Sequence, residues 1–314
     1  MRKRRTERES LLRRMRKQRL KYIPVLPALI TILNGVSGFA AINFAGKGAL
    51  GPNAEFTYNG VQVAYFAMSG YMILLAMVFD MLDGRVARMS QSASSFGGQL
   101  DSLCDVISFG VAPAYLMLKV LEHKLTGYPT LNPVMANYIT RFLWLVAAVY
   151  ISCAVIRLAR FNVENLVDES AHMSFIGLPS PAAAGVIASL VVFRQDILPD
   201  VRTESVQAHL IVENVVVFAL PLMLLGCALL MVSRVRYPHV LNRYLRDKKP
   251  LTHFIYIMLA IVLVFGTTFQ IALVLSFCLF AGSGFAKWVY RWAMKKRADL
   301  AVAQTEHPVQ EAIQ

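Results

Sequence analysis

The sequence predicts an all-α protein, a polytopic integral-membrane helical bundle of about eight transmembrane helices, on three observations. Apolar residues make up 56% of the 314-residue chain and charged residues only 16%, with a mean hydropathy of +0.51, a balance that excludes an ordinary soluble globular domain. The apolar residues gather into eight stretches, most of them near the roughly 20 residues a helix needs to cross a bilayer. Basic residues concentrate in alternate connections between those stretches, as expected where the translocation machinery sorts loops by positive charge.

In chain order, residues 1–23 form a basic head, residues 24–290 the membrane domain and residues 291–314 a polar tail. The expected spans are 24–45, 62–82, 99–121, 138–160, 179–194, 213–232, 252–266 and 268–289. The fifth and seventh are short, and only a turn near Gly266-Thr267-Thr268 separates the last two. Helices are expected because bilayer hydrocarbon supplies no partner for an open backbone. The head, Arg85 and Arg88, Arg157 and Arg160, the 233–249 connection and the 287–297 end fall on one side. Lys47, Lys119, Lys124, Arg194 and Arg202 are scattered over the other. The reading is a multi-pass protein of the cell (inner) membrane with both termini and the active site cytosolic.

The net charge of +13 sits in segments flanking the spans, so the partner it implies is the anionic membrane surface and not nucleic acid. The head has only Glu7 and Glu9 against its arginines. With Leu11, Leu12, Met15 and Leu20 it reads either as an interfacial amphipathic helix or as a disordered topogenic tail. Its long charged stretch, followed by a span bearing polar Thr31 and Asn34, argues against a cleavable leader.

Four carboxylates lie in or beside the second and third spans: Asp80 and Asp83, then Asp101 and Asp105. An acid at the centre of an inserted helix costs roughly 2.5 to 3.5 kcal/mol, so such residues face a polar cavity, pair with a cation or line a functional path. Residues three or four apart share a helix face, so each pair points one way. Gly84, Ala87 and Gly97 leave little side chain to keep a ligand from the backbone. Two carboxylate pairs suit hard divalent cations, which take oxygen ligands. Ion pairing with Arg85 and Arg88 is the bland alternative, but two arginines do not neutralise four aspartates. Cys104, Cys153, Cys227 and Cys278 form no CxxC pair and read as apolar packers, and His172, His239 and His253 read as solvated loop residues.

The acids spell D-x2-D-G-x2-A-R-x8-G-x3-D-x3-D from Asp80 to Asp105, matched at every fixed position. The chain thereby resembles the CDP-alcohol phosphotransferases, an integral-membrane family. Pro27-x3-Thr31-x2-Asn34-x3-Gly38 looks like that family's first-helix pattern. The segments Ser108 to Ala114, Arg157 to Asn162 and Gly177 to Ala184 resemble its bacterial phosphatidylserine synthase branch. The likeness runs from about residue 24 to about residue 290.

The resemblance implies a six-helix core, a divalent cofactor (Mg²⁺ or Mn²⁺, two ions) and transfer of the phosphatidyl group from CDP-diacylglycerol to L-serine, giving phosphatidylserine and CMP. Carried over residue by residue, it makes Asp80, Asp83, Asp101 and Asp105 metal ligands and Asp105 also the general base. It places Thr31, Asn34, Asp80, Gly84, Ala87, Arg88 and Gly97 around the nucleotide and substrate. Arg157 and Arg160 become candidates for the serine carboxylate or the lipid phosphate. Membrane lipids and a second copy of the chain, as a homodimer, are the expected partners. The competing readings are the same chemistry on another alcohol (glycerol phosphate, an inositol compound, choline) and an ion-coupled transporter. A transporter would spread its acids through the membrane depth, whereas these gather at one side.

Overall fold

A computed structural model describes residues 25–49, 55–58, 61–89, 95–127, 132–167, 174–196, 206–233, 235–238 and 269–284, with isolated residues 286 and 294. The basic head, the polar tail, the expected seventh span and His172, His239 and His253 lie outside the described residues.

The helices are α1 (Val25–Gly48), α2 (Tyr65–Met89), α3 (Ser95–Asp105), α4 (Ala112–Thr126), α5 (Pro133–Val167), α6 (Ser180–Asp196) and α7 (Val206–Val232), followed by α8 (Phe269–Gly284). A π-helical turn, Val106–Val111, joins α3 to α4 without a break. Among the described residues, five stretches are long and apolar enough to cross a membrane: Pro27–Gly48, Tyr65–Val86, Phe96–Thr126, Pro133–Val163 and Ile211–Val232. The protein is a polytopic helical membrane protein. α6 is shorter, with 17 residues, and α8 is an apolar helix of similar size.

Two short antiparallel ladders accompany the helices. In the first, β1 (Glu55–Tyr58) pairs with β2 (Val61–Ala64), Tyr58 opposite Val61. The two residues between them are Asn59-Gly60, the sequence signature of a tight hairpin turn. The expected second span therefore starts at Tyr65 and not at 62, because its first residues are spent on a strand. In the second ladder β3 (Ser174–Ile176) pairs with β4 (Arg236–Pro238) and ties the approach to α6 to the end of α7. Gly177, at φ +84°, makes the turn out of β3. Its N–H donates to Val235 O at 2.7 Å and the N–H of Leu178 to Leu230 O at 3.0 Å. Ser180 and Pro181 then open α6, where a first-turn proline costs no hydrogen bond.

α6 is the axis of the bundle. Its small residues, Ala182 to Gly185 and Ala188, are buried and admit close neighbours, as expected where helix association in lipid relies on packing and not on hydrophobic expulsion. Gly70 of α2 comes so near that a Cβ there would lie 3.1 Å from Ala188 O, and Phe277 of α8 lies over Gly185. α1 and α2 pack along each other, pinned by Ser69 Oγ donating to Ala41 O at 2.8 Å. At the end of the bundle away from the signature, Lys124 (2.8 Å) and Arg194 (2.9 Å) both reach Glu213 Oε1, joining α4, α6 and α7. Outward faces stay apolar, with Phe39, Tyr138 and Leu222 all more than 60% exposed, as acyl chains require of a span.

The π turn has a local cause. Pro113 has no N–H for the carbonyl of Phe109, its α-helical partner four residues back, and its ring crowds that carbonyl. The widened turn relieves the clash. Tyr150 of α5, fully buried, donates its hydroxyl to Phe109 O at 2.9 Å. Replacing Tyr150 with Phe is expected to leave the carbonyl short of a partner at a cost of about 1–3 kcal/mol. Thermal melts in detergent, run beside a turnover assay, check this, with both stability and turnover expected to fall.

Candidate functional site

The site is assembled by α1, α2 and α3. α2 brings Asp80 and Asp83 near its end, and α3 brings Asp101 and Asp105 one turn apart, the latter abutting the π turn. Asp80, Asp101 and Asp105 each offer a carboxylate oxygen within 4.8 Å of the others. Asp83, only 6% exposed, is not a member of that triplet but lies one turn further along the same face of α2.

α1 supplies the polar props. Thr31 Oγ1 lies 2.8 Å from Asp83 Oδ2 and donates to it, with Pro27 O at 3.0 Å as its other neighbour. Asn34 Nδ2 donates to Asp105 Oδ1 at 2.9 Å. Both residues are buried, at 4% and 0% exposure, so the first-helix pattern holds two of the four acids in place from the opposite side. The pattern's spacing explains this: Thr31, Asn34 and Gly38 follow one another at three- and four-residue steps along one face. Gly38 lets that face come close, and a Cβ there would lie 2.6 Å from Ser108 Cα. Ser108 Oγ in turn donates to the backbone oxygen of Asn34 at 2.9 Å, tying the π turn to α1. Cys104 Sγ lies against Gly35, where it serves as a packer.

Other expected site residues fall around this centre. Gly84 is exposed, with open space where a Cβ would be, and Gly97 is half-buried at the start of α3. Ala87 and Arg88 belong to the last turns of α2, but their side chains lie outside the described ones. Arg157 and Arg160 are half-buried on α5. Two residues beyond, Asn162 Nδ2 donates to Ser102 Oγ at 2.8 Å, bringing the arginine-bearing end of α5 against α3 beside Asp101. Sequence reasoning misses Ser102 and Tyr150. Ser102 occupies a variable position inside the signature, and the one signal for Tyr150 is a phenol in an apolar span, which needs a hydrogen-bond partner.

The donor set fits a hard divalent cation. Three carboxylates close together in a low-dielectric setting repel strongly unless a positive charge joins them. Among the described residues, Asp101 Oδ1 is buried without a hydrogen-bond partner, as expected of an oxygen reserved for an ion. All of the clustered donors are oxygens, the ligand type of Mg²⁺ and Mn²⁺ and not of softer metals.

A family model described as CDP-alcohol phosphatidyltransferase matches residues 24–220, from the head of α1 into α7. The chain belongs to this family and is a membrane-embedded transferase. Among its relatives, a CDP-diacylglycerol–serine O-phosphatidyltransferase of Helicobacter pylori is 33% identical over 226 residues, 72% of this chain and 81% of that one. Proteins of the same name from Methanocaldococcus jannaschii (34% identity, 55% of this chain and 64% of that one) and Saccharomyces cerevisiae (36% identity, 51% of each) are also similar.

Proposed function

We propose that this enzyme transfers the phosphatidyl group of CDP-diacylglycerol to the hydroxyl of L-serine, releasing CMP and leaving phosphatidylserine in the membrane. The observation that supports it most is the closing of Asp80, Asp101 and Asp105 into one oxygen cluster, in a chain whose relatives share that serine-transferring name.

Asp80, Asp101 and Asp105, with Asp83 one turn along α2 from Asp80, would hold the divalent ions. When bound, these supply positive charge to the pyrophosphate oxygens and to departing CMP. Asp105 takes the proton of the serine hydroxyl as its oxygen attacks the phosphorus that carries diacylglycerol. One oxygen–phosphorus bond forms there, the bond from that phosphorus to the CMP oxygen breaks, and no covalent enzyme intermediate is needed. Asn34 is committed to Asp105 Oδ1, so the proton goes to the second carboxylate oxygen. Thr31 orients Asp83 in the same way. Gly84 and Gly97, with Ala87 and Arg88, border the nucleotide, while Arg157 and Arg160 meet the serine carboxylate or the lipid phosphate. The site opens to the cytosol, where serine is available, both termini lie on that side of the inner membrane, and the enzyme works as a homodimer. Residues 24–290 form the catalytic domain between the basic head and the polar tail.

The test is CMP release by the purified protein with CDP-diacylglycerol and a panel of alcohols. Serine-dependent release is expected, abolished by a chelator and restored by Mg²⁺ or Mn²⁺. Release that depends on another alcohol keeps the family and overturns the acceptor. Release that survives exhaustive chelation overturns the metal role.

A further inference from the structure

Asn34 is fully buried, and its two carboxamide ends are treated differently. Nδ2 donates to Asp105, whereas Oδ1 is buried with no hydrogen-bond partner among the described residues. Its backbone oxygen is already used by Ser108. An orphaned acceptor in a protein interior is costly and calls for an explanation. The carboxamide is a rigid plane, so with Nδ2 committed to Asp105 the oxygen is fixed close to that carboxylate's partner nitrogen and cannot turn independently to find a donor.

We infer that Asn34 Oδ1 is the subsite for the ammonium group of the acceptor, so that Asn34 selects an amino alcohol over other alcohols. The inference rests on the proposed transfer to serine and deepens it. Serine carries its hydroxyl and its ammonium on adjacent carbons. A hydroxyl delivered to Asp105 therefore brings the ammonium alongside, and the carboxylate and the amide oxygen form a matching pair of acceptors. Glycerol phosphate and inositol offer no ammonium at that place, and choline offers a quaternary nitrogen with no N–H to donate. Sites built to bond a polar group reject analogues that lack it, because their own buried partner is then left unpaired. A neutral amide oxygen also receives the cation without adding a fifth negative charge to the aspartates.

The experiment compares L-serine with 3-hydroxypropionate, which is serine without its amine, on the wild type and on Asn34→Ala. The readouts are the KM for serine, the inhibition constant of 3-hydroxypropionate against serine, and Mn²⁺ binding followed by the spin resonance of the free ion. In Asn34→Ala the KM for serine is expected to rise about tenfold or more, while the inhibition constant of 3-hydroxypropionate stays within about twofold. Asn34→Asp, which keeps an oxygen at the position, is expected to retain discrimination between the two compounds even as kcat falls with the lost donor to Asp105. Equal weakening of both compounds would mean that Asn34 acts only through Asp105 and would overturn the subsite. So would unchanged constants for both, or a rise in the serine KM that saturating Mn²⁺ reverses, which would place the oxygen's effect on the metal. If the wild type releases CMP with another alcohol and not with serine, the functional reading itself fails, an outcome visible before any variant is made.

Discussion

Asp105→Asn is expected to lower turnover by about a thousandfold with the protein still folded, the size typical of losing a positioned general base. The substitution is nearly isosteric, and an asparagine oxygen at 105 still accepts from Asn34 Nδ2 in place of the carboxylate bond seen now. What is lost is the ability to take a proton and one negative charge from a cluster whose other members, Asp80 and Asp101, lie within 4.8 Å. The sign of the stability change should therefore depend on the metal. In chelator the variant is relieved of repulsion and should melt at or above the wild type. In saturating Mn²⁺ it should melt below, because a ligand that binds only the folded state stabilises in proportion to its affinity. CMP release and paired melts check this, and turnover within tenfold of wild type would remove Asp105 from the chemistry.

Gly38→Val should disable the enzyme by a different route. A Cβ at residue 38 would stand 2.6 Å from Ser108 Cα, a backbone atom that cannot swing aside. α1 would have to separate from the π turn, breaking the Ser108 bond to Asn34 O and drawing Asn34 and Thr31 off the two aspartates they hold. Overpacking of this kind costs about 1–3 kcal/mol before the lost hydrogen bonds are added. Lower yield of folded protein, a reduced melting temperature and weaker Mn²⁺ binding are expected together. A variant that melts like the wild type and binds Mn²⁺ normally would show that the α1 contact is not what holds the acids.

The helical membrane class was legible because bilayer thickness leaves a long apolar signal, and the acids were legible because their spacing is short and their setting costly. Bringing Asp80 of one helix to Asp101 and Asp105 of the next was also legible in outline, since both pairs sit at the same end of adjacent spans. What sequence could not supply was contact between distant segments. Asn162 meets Ser102 across sixty residues, and Tyr150 meets Phe109 across forty-one. No local periodicity encodes such pairs. The split between Asp83, held by Thr31, and the clustered triplet was hidden for the same reason, since helical spacing alone makes Asp80 and Asp83 equivalent. Span limits drifted where local chemistry overrode apolarity. Asn59-Gly60 drew Val61–Ala64 into a strand, and the apolar count along 99–121 carried no mark of the π turn except Pro113.

That turn divides one continuous span into two pieces out of phase. Each residue of an α-helix advances the azimuth by about 100°, and a turn that takes in an extra residue resets the count between the α3 and α4 halves of the span. Asp101 and Asp105 are aimed from one side of the reset, while α4 packs into the bundle from the other. The aim of the acids relative to the packed face of α4 is thus set by the π turn, with α1 and Tyr150 holding that turn in place. Loss of a single residue between 106 and 111 would restore the ordinary α-helical phase and swing the carboxylates away from α1 while α4 stays packed.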